Sequence, residues 1–439
     1  MSHAELLARH RAVLPSWIAL YYDEPIALVD GQGCRVVDAE GRSYLDFFGG
    51  ILTTMVGYNI PEVVEAVREQ AGRMVHTSTL YLIEPMIELA ERIAALSGIP
   101  DAKVFLTNSG TEANEAALLL ATTARRSNQV LALRNSYHGR SYAAMGITGN
   151  RGWSASSFTP VNVSYVQGGY RYRSPFRDLT DREYVRVCAQ DLREVIATTT
   201  AGDVACMIAE PIQGVGGFAS PPDGFFGALK EILDEHGILL VSDEVQTGWG
   251  RTGEHFWGIQ AHGVTPDAMT FAKGLGNGLA IGGVVARGEL MDSVTANSIS
   301  TFGGNPLASR AALATIDYLL SHDLQANALK MGSRLRQGLD AVAERCRVVG
   351  EVRGRGLMIG VELVEPGSTE PNPVLAARVH QDAARGGLLL GKGGLYGNVL
   401  RVAPPLSVSE AEVDEGLEIL GAAIRAAERE PAEGKGARR

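Results

Sequence analysis

The chain has 439 residues, of which 45% are hydrophobic and 21% charged, and its formal net charge is −10. This length allows two folded domains, and the acidic balance argues against a nucleic-acid-binding protein, which needs a basic surface. No apolar run reaches the roughly 18 residues of a membrane span, and the N-terminus lacks the apolar centre of a secretory signal. The four cysteines show no CxxC spacing, which argues against a zinc site or a disulfide framework and favours the reducing cytoplasm.

Residues 1–60 are predicted to form an N-terminal arm and a small antiparallel segment that packs with the smaller domain. Short apolar runs are separated there by the turn pairs Asp30-Gly31 and Glu40-Gly41, a pattern typical of meandering strands.

From residue 61 to 310, helical and strand patterns alternate, which predicts a large domain with a mostly parallel sheet flanked by helices. Residues 61–74 and 84–97 are amphipathic, and Gly98 follows as a stop signal. Five apolar runs that end in polar or glycine residues predict buried parallel strands: KVFLT, NQVLAL, VACMIA, GILLVSD and DAMTFA. Open α/β sheets bind ligands at the carboxyl ends of their strands, so we expect the site there.

Residues 311–428 predict a smaller α+β domain. A linking helix opens it, two strand regions follow, and an amphipathic helix ends it. Residues 429–439 are polar and are predicted to be a disordered tail.

A candidate anion site lies where the strand KVFLT turns into the next helix. Ser109, Gly110 and Thr111 stand at this turn, where free N–H groups, the positive helix end and two hydroxyls suit a phosphate. Plain N-capping explains the same residues equally well. Tyr137 and His138 follow the next strand, where an aromatic ring can cover a flat ligand, although a half-buried tyrosine in a turn is commoner.

Two opposite charges end neighbouring apolar runs. Asp243 follows one run, and a carboxylate there needs a cation or hydrogen-bond donors, with a structural salt bridge as the plain explanation. Lys273 ends the next run, with three glycines in the five residues after it. The two charges could therefore meet in one crevice beside the anion site.

This combination points to pyridoxal phosphate, which needs a lysine for its aldehyde, an acid for its pyridine nitrogen and a cup for its phosphate. The lysine must be a usable amine near neutral pH, so its pKa of ~10.4 has to fall by roughly 2–3 units. Nucleotide binding is a weaker alternative. The glycine-rich loop at 386–394 lacks a hydroxyl after Lys392, and the one after Lys273 lacks the third glycine of a dinucleotide fingerprint.

The chain resembles the class III aminotransferases, which are fold-type I pyridoxal-phosphate enzymes, over about residues 20–425. The resemblance rests on seven motifs in the family's order and spacing: NSGTEAN, YHGR, AEPIQG, DEVQTGWGRTG, FAKGLGNG, TFGGNPLA and RVAPPL. It implies that Lys273 binds the cofactor aldehyde and that Asp243 pairs with the pyridine nitrogen. Gln246 would contact the phenolic oxygen.

The resemblance further implies that Tyr137 and His138 lie at the cofactor ring and that the phosphate is held at residues 109–111. Thr301 matches a residue that reaches the phosphate of the neighbouring subunit. We therefore expect a homodimer with shared active sites, with a tetramer left open.

Arg401 matches the arginine that binds the substrate carboxylate, a charge-assisted bond worth roughly 1.5–3 kcal/mol. Tyr22, or its neighbour Tyr21, is expected near the substrate entrance. Val215 stands where ornithine and 4-aminobutyrate aminotransferases carry an acid, so their gate is expected to be absent. The chain also has Ile60 before Pro61, where many relatives have histidine.

These features predict an aminotransferase with a ping-pong mechanism, most like the alanine–glyoxylate and ω-amino acid subgroup. The amino donor would be alanine or an ω-amino acid, and the acceptor a 2-oxo acid such as pyruvate or glyoxylate. A decarboxylating transaminase, an aminomutase on the same fold and a non-catalytic protein that binds the cofactor remain alternatives.

Overall fold

The computed structural model describes residues 3–429. Its helices are α1 (His3–Val13), α2 (Gly49–Leu52), α3 (Pro61–Arg73), α4 (Glu84–Ser97), α5 (Gly110–Arg125), α6 (Tyr142–Gly146), α7 (Asp181–Thr199), α8 (Phe225–Glu235), α9 (Gly288–Met291), α10 (Pro306–Ser321), α11 (Leu324–Ala343), α12 (Pro373–Arg385) and α13 (Glu410–Arg429). Its strands are β1 (Leu28–Gln32), β2 (Arg35–Asp38), β3 (Ser43–Asp46), β4 (Ala102–Thr107), β5 (Gln129–Leu133), β6 (Asn162–Val166), β7 (Cys206–Ala209), β8 (Leu239–Asp243), β9 (Ala268–Phe271), β10 (Gly282–Arg287), β11 (Val349–Arg355), β12 (Met358–Leu363), β13 (Leu388–Leu389), β14 (Gly391–Gly393) and β15 (Val399–Val402).

The largest sheet has the strand order β4-β10-β9-β8-β7-β5-β6. The five strands predicted from apolar runs are β4, β5, β7, β8 and β9, and they run in one direction. Strand β10 is antiparallel to both of its neighbours, and the sequence prediction missed it together with β6. With helices packed on both faces, the molecule is a mixed α/β protein, as the sequence predicts.

Helix boundaries in this part follow from local chemistry. Helix α3 begins with Pro61 in its first turn, where the missing N–H costs no hydrogen bond. Helix α4 ends at Gly98, which takes a left-handed conformation with φ of 70°. Both agree with the sequence prediction.

Two four-stranded sheets contain the remaining strands, in the orders β1-β2-β3-β13 and β11-β12-β15-β14. The predicted meander is β1 to β3, and the C-terminal strand β13 extends it by pairing parallel with β3. Residues 386–394, expected to be a loop, instead contain β13 and β14. The buried Leu388 and Leu389 pair with β3, and residues 391–393 pair with β15 in the other sheet.

The division into units 1–60, 61–310 and 311–428 stays a prediction. Arg429 ends helix α13 rather than starting the predicted tail, and residues 430–439 lie outside the described part of the chain. Between residues 3 and 429, no helix is long and apolar enough to cross a membrane.

Candidate active site

One cavity of about 310 Å³ lies at the carboxyl ends of the large sheet, a size usual for small-ligand pockets. Apart from Thr53, the polar residues that line it lie at or after the ends of five strands: β4, β5, β7, β8 and β9. They are Asn108, Ser109, Thr111, Asn114, Tyr137, His138, Glu210, Asp243, Gln246 and Lys273. The structure thus brings together the predicted lysine, acid, aromatic residue and anion turn.

Asp243, the last residue of β8, is buried and held by three donors. Its Oδ2 accepts a hydrogen bond from Asn114 Nδ2 at 2.8 Å and lies 2.8 Å from His138 Nδ1, and its Oδ1 accepts from the Val245 N–H at 3.1 Å. Such bonds offset the loss of hydration that a buried carboxylate suffers. Asn114, on the first turns of α5, was not recognised from the sequence.

Lys273 lies just after β9 and faces the same cavity. Burial lowers the pKa of its amine, opposed by the carboxylates of Asp243 and Glu210 and aided by the charge of Arg401. The direction agrees with the expectation of a usable amine. Its backbone takes a φ of 41°, a left-handed conformation that is unfavourable for lysine and that often marks functional sites.

The turn at residues 109–111 shows the capping role that the sequence left open, and its anion-binding role stays a prediction. Ser109 caps α5, since its hydroxyl accepts a hydrogen bond from the Glu112 N–H at 3.2 Å, so the plain capping explanation is correct. The start of this 16-residue helix nevertheless lines the cavity through Ser109, Gly110 and Thr111. Space is tight here, because a Cβ added to Gly139 would lie 2.5 Å from Thr111 Oγ1.

Glu210 is a site residue that the sequence interpretation missed. Its carboxylate accepts hydrogen bonds from the N–H groups of Tyr137 and Gly214, each at 2.8 Å. Burial raises its pKa, with Asp243 adding to the effect and His138 opposing it. The signal was present in the sequence, since Glu210 follows an apolar run just as Asp243 ends one.

Arg401 lies on β15 and is only 2% exposed. Its guanidinium carbon is 4.8 Å from the ring centre of Phe48 and 5.7 Å from that of Phe218. Its Nη1 donates to the Gly214 carbonyl and its Nη2 to the Tyr21 hydroxyl, each at 3.4 Å. No carboxylate pairs with it anywhere in residues 3–429, so no acid of the described chain neutralises its charge.

Three of the predicted residues are not among those that line the cavity: Arg401, Tyr22 and Thr301. Of the two tyrosines expected near the substrate entrance, Tyr21 contacts Arg401, whereas the Tyr22 ring stacks on His380 at 4.6 Å. Thr301 is exposed and does not line the cavity of its own chain.

A sequence profile of the family Aminotransferase class-III matches residues 19–424. The chain belongs to the class-III aminotransferases. It is 39% identical to alanine–glyoxylate aminotransferase 2 homolog 2 of Arabidopsis thaliana, covering 93% of this chain and 85% of that relative. It is 38% identical to the leucine/methionine racemase of Thermococcus litoralis, covering 97% and 96%. A crystal structure of an (S)-enantioselective ω-transaminase from Thermomicrobium roseum superposes with a TM-score of 0.90 at 35% identity, covering 97% and 99%.

Class-III aminotransferases depend on pyridoxal phosphate, so the chain is a pyridoxal-phosphate-dependent transaminase. The residues present fit that cofactor. The cavity offers a lysine amine, a carboxylate and a helix N-terminus. It also offers the side-chain oxygen of Gln246, which is buried without a hydrogen-bond partner within the described chain.

Proposed function

We propose that this class-III aminotransferase moves an amino group from an amino acid of the alanine or ω-amino acid type to a 2-oxo acid of the pyruvate or glyoxylate type. The observation that carries the proposal is Arg401, a buried cation whose charge acts on the Lys273 amine and which has no acidic partner among the described residues. A guanidinium of this kind suits a carboxylate, which donors and acceptors of these types share.

Bound pyridoxal phosphate supplies an electron sink for negative charge at the substrate's Cα. We assign Lys273 to hold the aldehyde end and to move the proton at Cα, since its lowered pKa favours the free amine. Asp243 would face the pyridine nitrogen, in the orientation set by His138 and Asn114.

The other roles follow the lining of the cavity. Residues 109–111 would hold the phosphate at the start of α5. Gln246 would use its unpaired oxygen toward the phenolic group, and Tyr137 would cover the ring face.

Val215 supports donors and acceptors that both carry a carboxylate near Arg401. It is buried in the turn whose Gly214 carbonyl contacts Arg401, and it offers no charge that could neutralise the guanidinium. The same arginine can therefore serve both halves of a ping-pong exchange without a gate.

We also propose a homodimer with shared active sites, with Thr301 reaching the partner's phosphate. The support is an exposed apolar surface on the single chain: Leu80, Tyr81 and Leu82 are 76%, 68% and 93% exposed, and Phe302 beside Thr301 is 58% exposed. Surfaces of this kind are usually covered by another chain. The four cysteines are free and buried, which suits the proposed cytoplasmic location.

The test is the visible spectrum of the cofactor-loaded protein, recorded before and after L-alanine and then ω-amino acids, with no 2-oxo acid present. We expect one donor class to shift the cofactor band and pyruvate or glyoxylate to restore it. A Lys273→Ala variant is the control and should not complete the cycle.

Other outcomes would identify a rival reaction. Release of carbon dioxide would indicate a decarboxylating transaminase, and an isomeric product an aminomutase. Loss of optical activity without net amino transfer would indicate a racemase, the activity named for the Thermococcus relative. A band that no amine shifts would favour a non-catalytic cofactor-binding protein.

A further inference from the structure

Two arginines lie in one row across the sheet that contains Arg401. Arg353 on β11 pairs with Gly360 on β12, and Gly360 pairs with Arg401 on β15. Residues opposite each other in antiparallel strands place their side chains on the same face. The two arginines therefore share a face, with only a glycine between them.

The turn formed by residues 214–218 lies on this face between the two side chains. Its Gly217 carbonyl sits over Gly360, where an added Cβ would lie 2.5 Å from the oxygen. Arg353 Nε donates to this carbonyl at 3.0 Å, and Arg401 Nη1 donates to the Gly214 carbonyl at 3.4 Å. The same turn also carries Phe218, whose ring lies beside the Arg401 guanidinium.

The two guanidinium groups differ in their charge partners. Arg353 Nη1 donates to Glu362 at 2.6 Å and to Glu351 at 2.7 Å, and its Nη2 donates to the Tyr170 hydroxyl at 3.1 Å. Arg401 has no such acid in the described chain. Arg353 is thus saturated by protein groups and fixed, whereas Arg401 is held by one carbonyl, one hydroxyl and aromatic rings.

We infer that Arg353 is a positioning residue for the substrate carboxylate, acting through the turn 214–218. By fixing the Gly217 carbonyl, it fixes the turn whose Gly214 carbonyl and Phe218 ring orient Arg401. The long bond between Arg401 and Gly214 cannot hold the guanidinium by itself, so its placement depends on the turn. The inference rests on the proposed function, in which Arg401 binds the carboxylate.

The test variant is Arg353→Lys. Lysine keeps a cation for Glu351 and Glu362, but one ammonium cannot reproduce the fork that also reaches Gly217. Binding of pyruvate to the cofactor-loaded enzyme is measured by calorimetry, and KM and kcat are measured separately with the donor found active. We expect pyruvate to bind about tenfold more weakly and KM to rise by a similar factor. The value of kcat should change by less than about twofold, and the cofactor absorption band should stay as in the wild type.

Glu351→Gln is the matched control, because Glu351 contacts Arg353 but makes no hydrogen bond to the turn. It should bind pyruvate like the wild type. If Arg353→Lys does not fold, Tyr170→Phe takes its place and keeps the ring. Its hydroxyl is the one hydrogen-bond partner of Arg353 Nη2 in the described chain, whereas Nη1 keeps Glu362 when Glu351 is changed. A smaller loss of pyruvate affinity than in Arg353→Lys is therefore expected.

Pyruvate affinity equal to wild type in the folded variant would overturn the inference and leave the proposed function intact. An Arg401→Gln variant serves as the reference for the pyruvate affinity that remains when the carboxylate site is lost. A wild-type enzyme that binds pyruvate no better than Arg401→Gln would contradict the proposed role of Arg401, and the inference would fall with it.

Discussion

The carboxylate Oδ2 of Asp243 lies 2.8 Å from the imidazole Nδ1 of His138, and both side chains are buried. We assign the hydrogen of this bond to Nδ1, because a carboxylate oxygen accepts hydrogen bonds. His138 Nε2 has no partner within the described chain. The histidine thus donates to the acid and fixes its orientation toward the cavity.

Asp243→Asn should therefore retain the cofactor but lose activity. The neutral amide keeps the shape yet removes the charge that would stabilise a protonated pyridine nitrogen. We expect the rate of the half-reaction to fall about 10²–10³-fold, the loss usual for a preorganised electrostatic group. Stopped-flow absorbance measures the rate. Asp267→Asn is the control, because Asp267 accepts from the Leu240 N–H away from the cavity, and its rate should stay near wild type.

The lowered pKa of Lys273 predicts a pH effect on the stability of the cofactor-free protein. In the folded state the amine loses its proton below its ordinary pKa of 10.5, so in that range the unfolded chain binds more protons. Unfolding free energy contributed by this residue must then rise with pH, up to about 10.5. Thermal melts of the cofactor-free wild type and Lys273→Met should be recorded from about pH 8 upward. The melting temperature of the wild type should rise with pH relative to that of the variant. A constant difference between the two would contradict the lowered pKa.

An acid placed in the turn beside Arg401 should weaken carboxylate binding. The Val215 carbonyl and Arg401 Nε lie close to the same point, because a Cβ added at Gly393 would be 2.8 Å from the first and 3.0 Å from the second. Val215→Glu would therefore put a charge near the guanidinium. We expect KM for pyruvate and for the carboxylate donor to rise about tenfold or more, because the new ion pair competes with substrate. Val215→Gln, similar in size but neutral, is the control. Equal KM values in the two variants would assign the effect to size rather than charge.

The exposed apolar segment around Leu82 should lie in a subunit interface. Leu82→Glu would place a charge in that interface, so we expect monomers and a loss of cofactor affinity, if Thr301 acts across it. Light scattering after size-exclusion chromatography gives the mass. Val374→Glu, at a residue that is 65% exposed on α12, should leave both properties unchanged. A Leu82→Glu protein with the mass of the wild type would argue against this interface.

The parts of the site that the sequence predicted are those that depend on local patterns of a few neighbouring residues. Lys273, Asp243 and Tyr137 each follow a buried apolar run, and the ends of parallel strands meet at one edge of the sheet. Local patterns also predicted α3, α4 and the meander β1 to β3.

The parts that the sequence did not predict depend on long-range pairing. Nothing within residues 17–24 says which tyrosine reaches Arg401, since that depends on where β15 lies. The antiparallel strand β10 opens with glycines and resembles a loop until its pairing with β4 and β9 is seen. Likewise, the row that joins Arg353 to Arg401 exists only through the register of three strands.

Strand β10 lies between β4 and β9 in the large sheet and separates their carboxyl ends at the cavity. It begins with Gly282 at the edge where β4 ends in the anion turn and β9 ends before Lys273. These two ends are held two strand spacings apart, about 9.6 Å, by backbone pairing alone. The distance between the start of α5 and the Lys273 end of the site is therefore set by main-chain geometry. A Cβ at Gly282 would lie 2.8 Å from the Ser109 carbonyl and would disturb that distance directly.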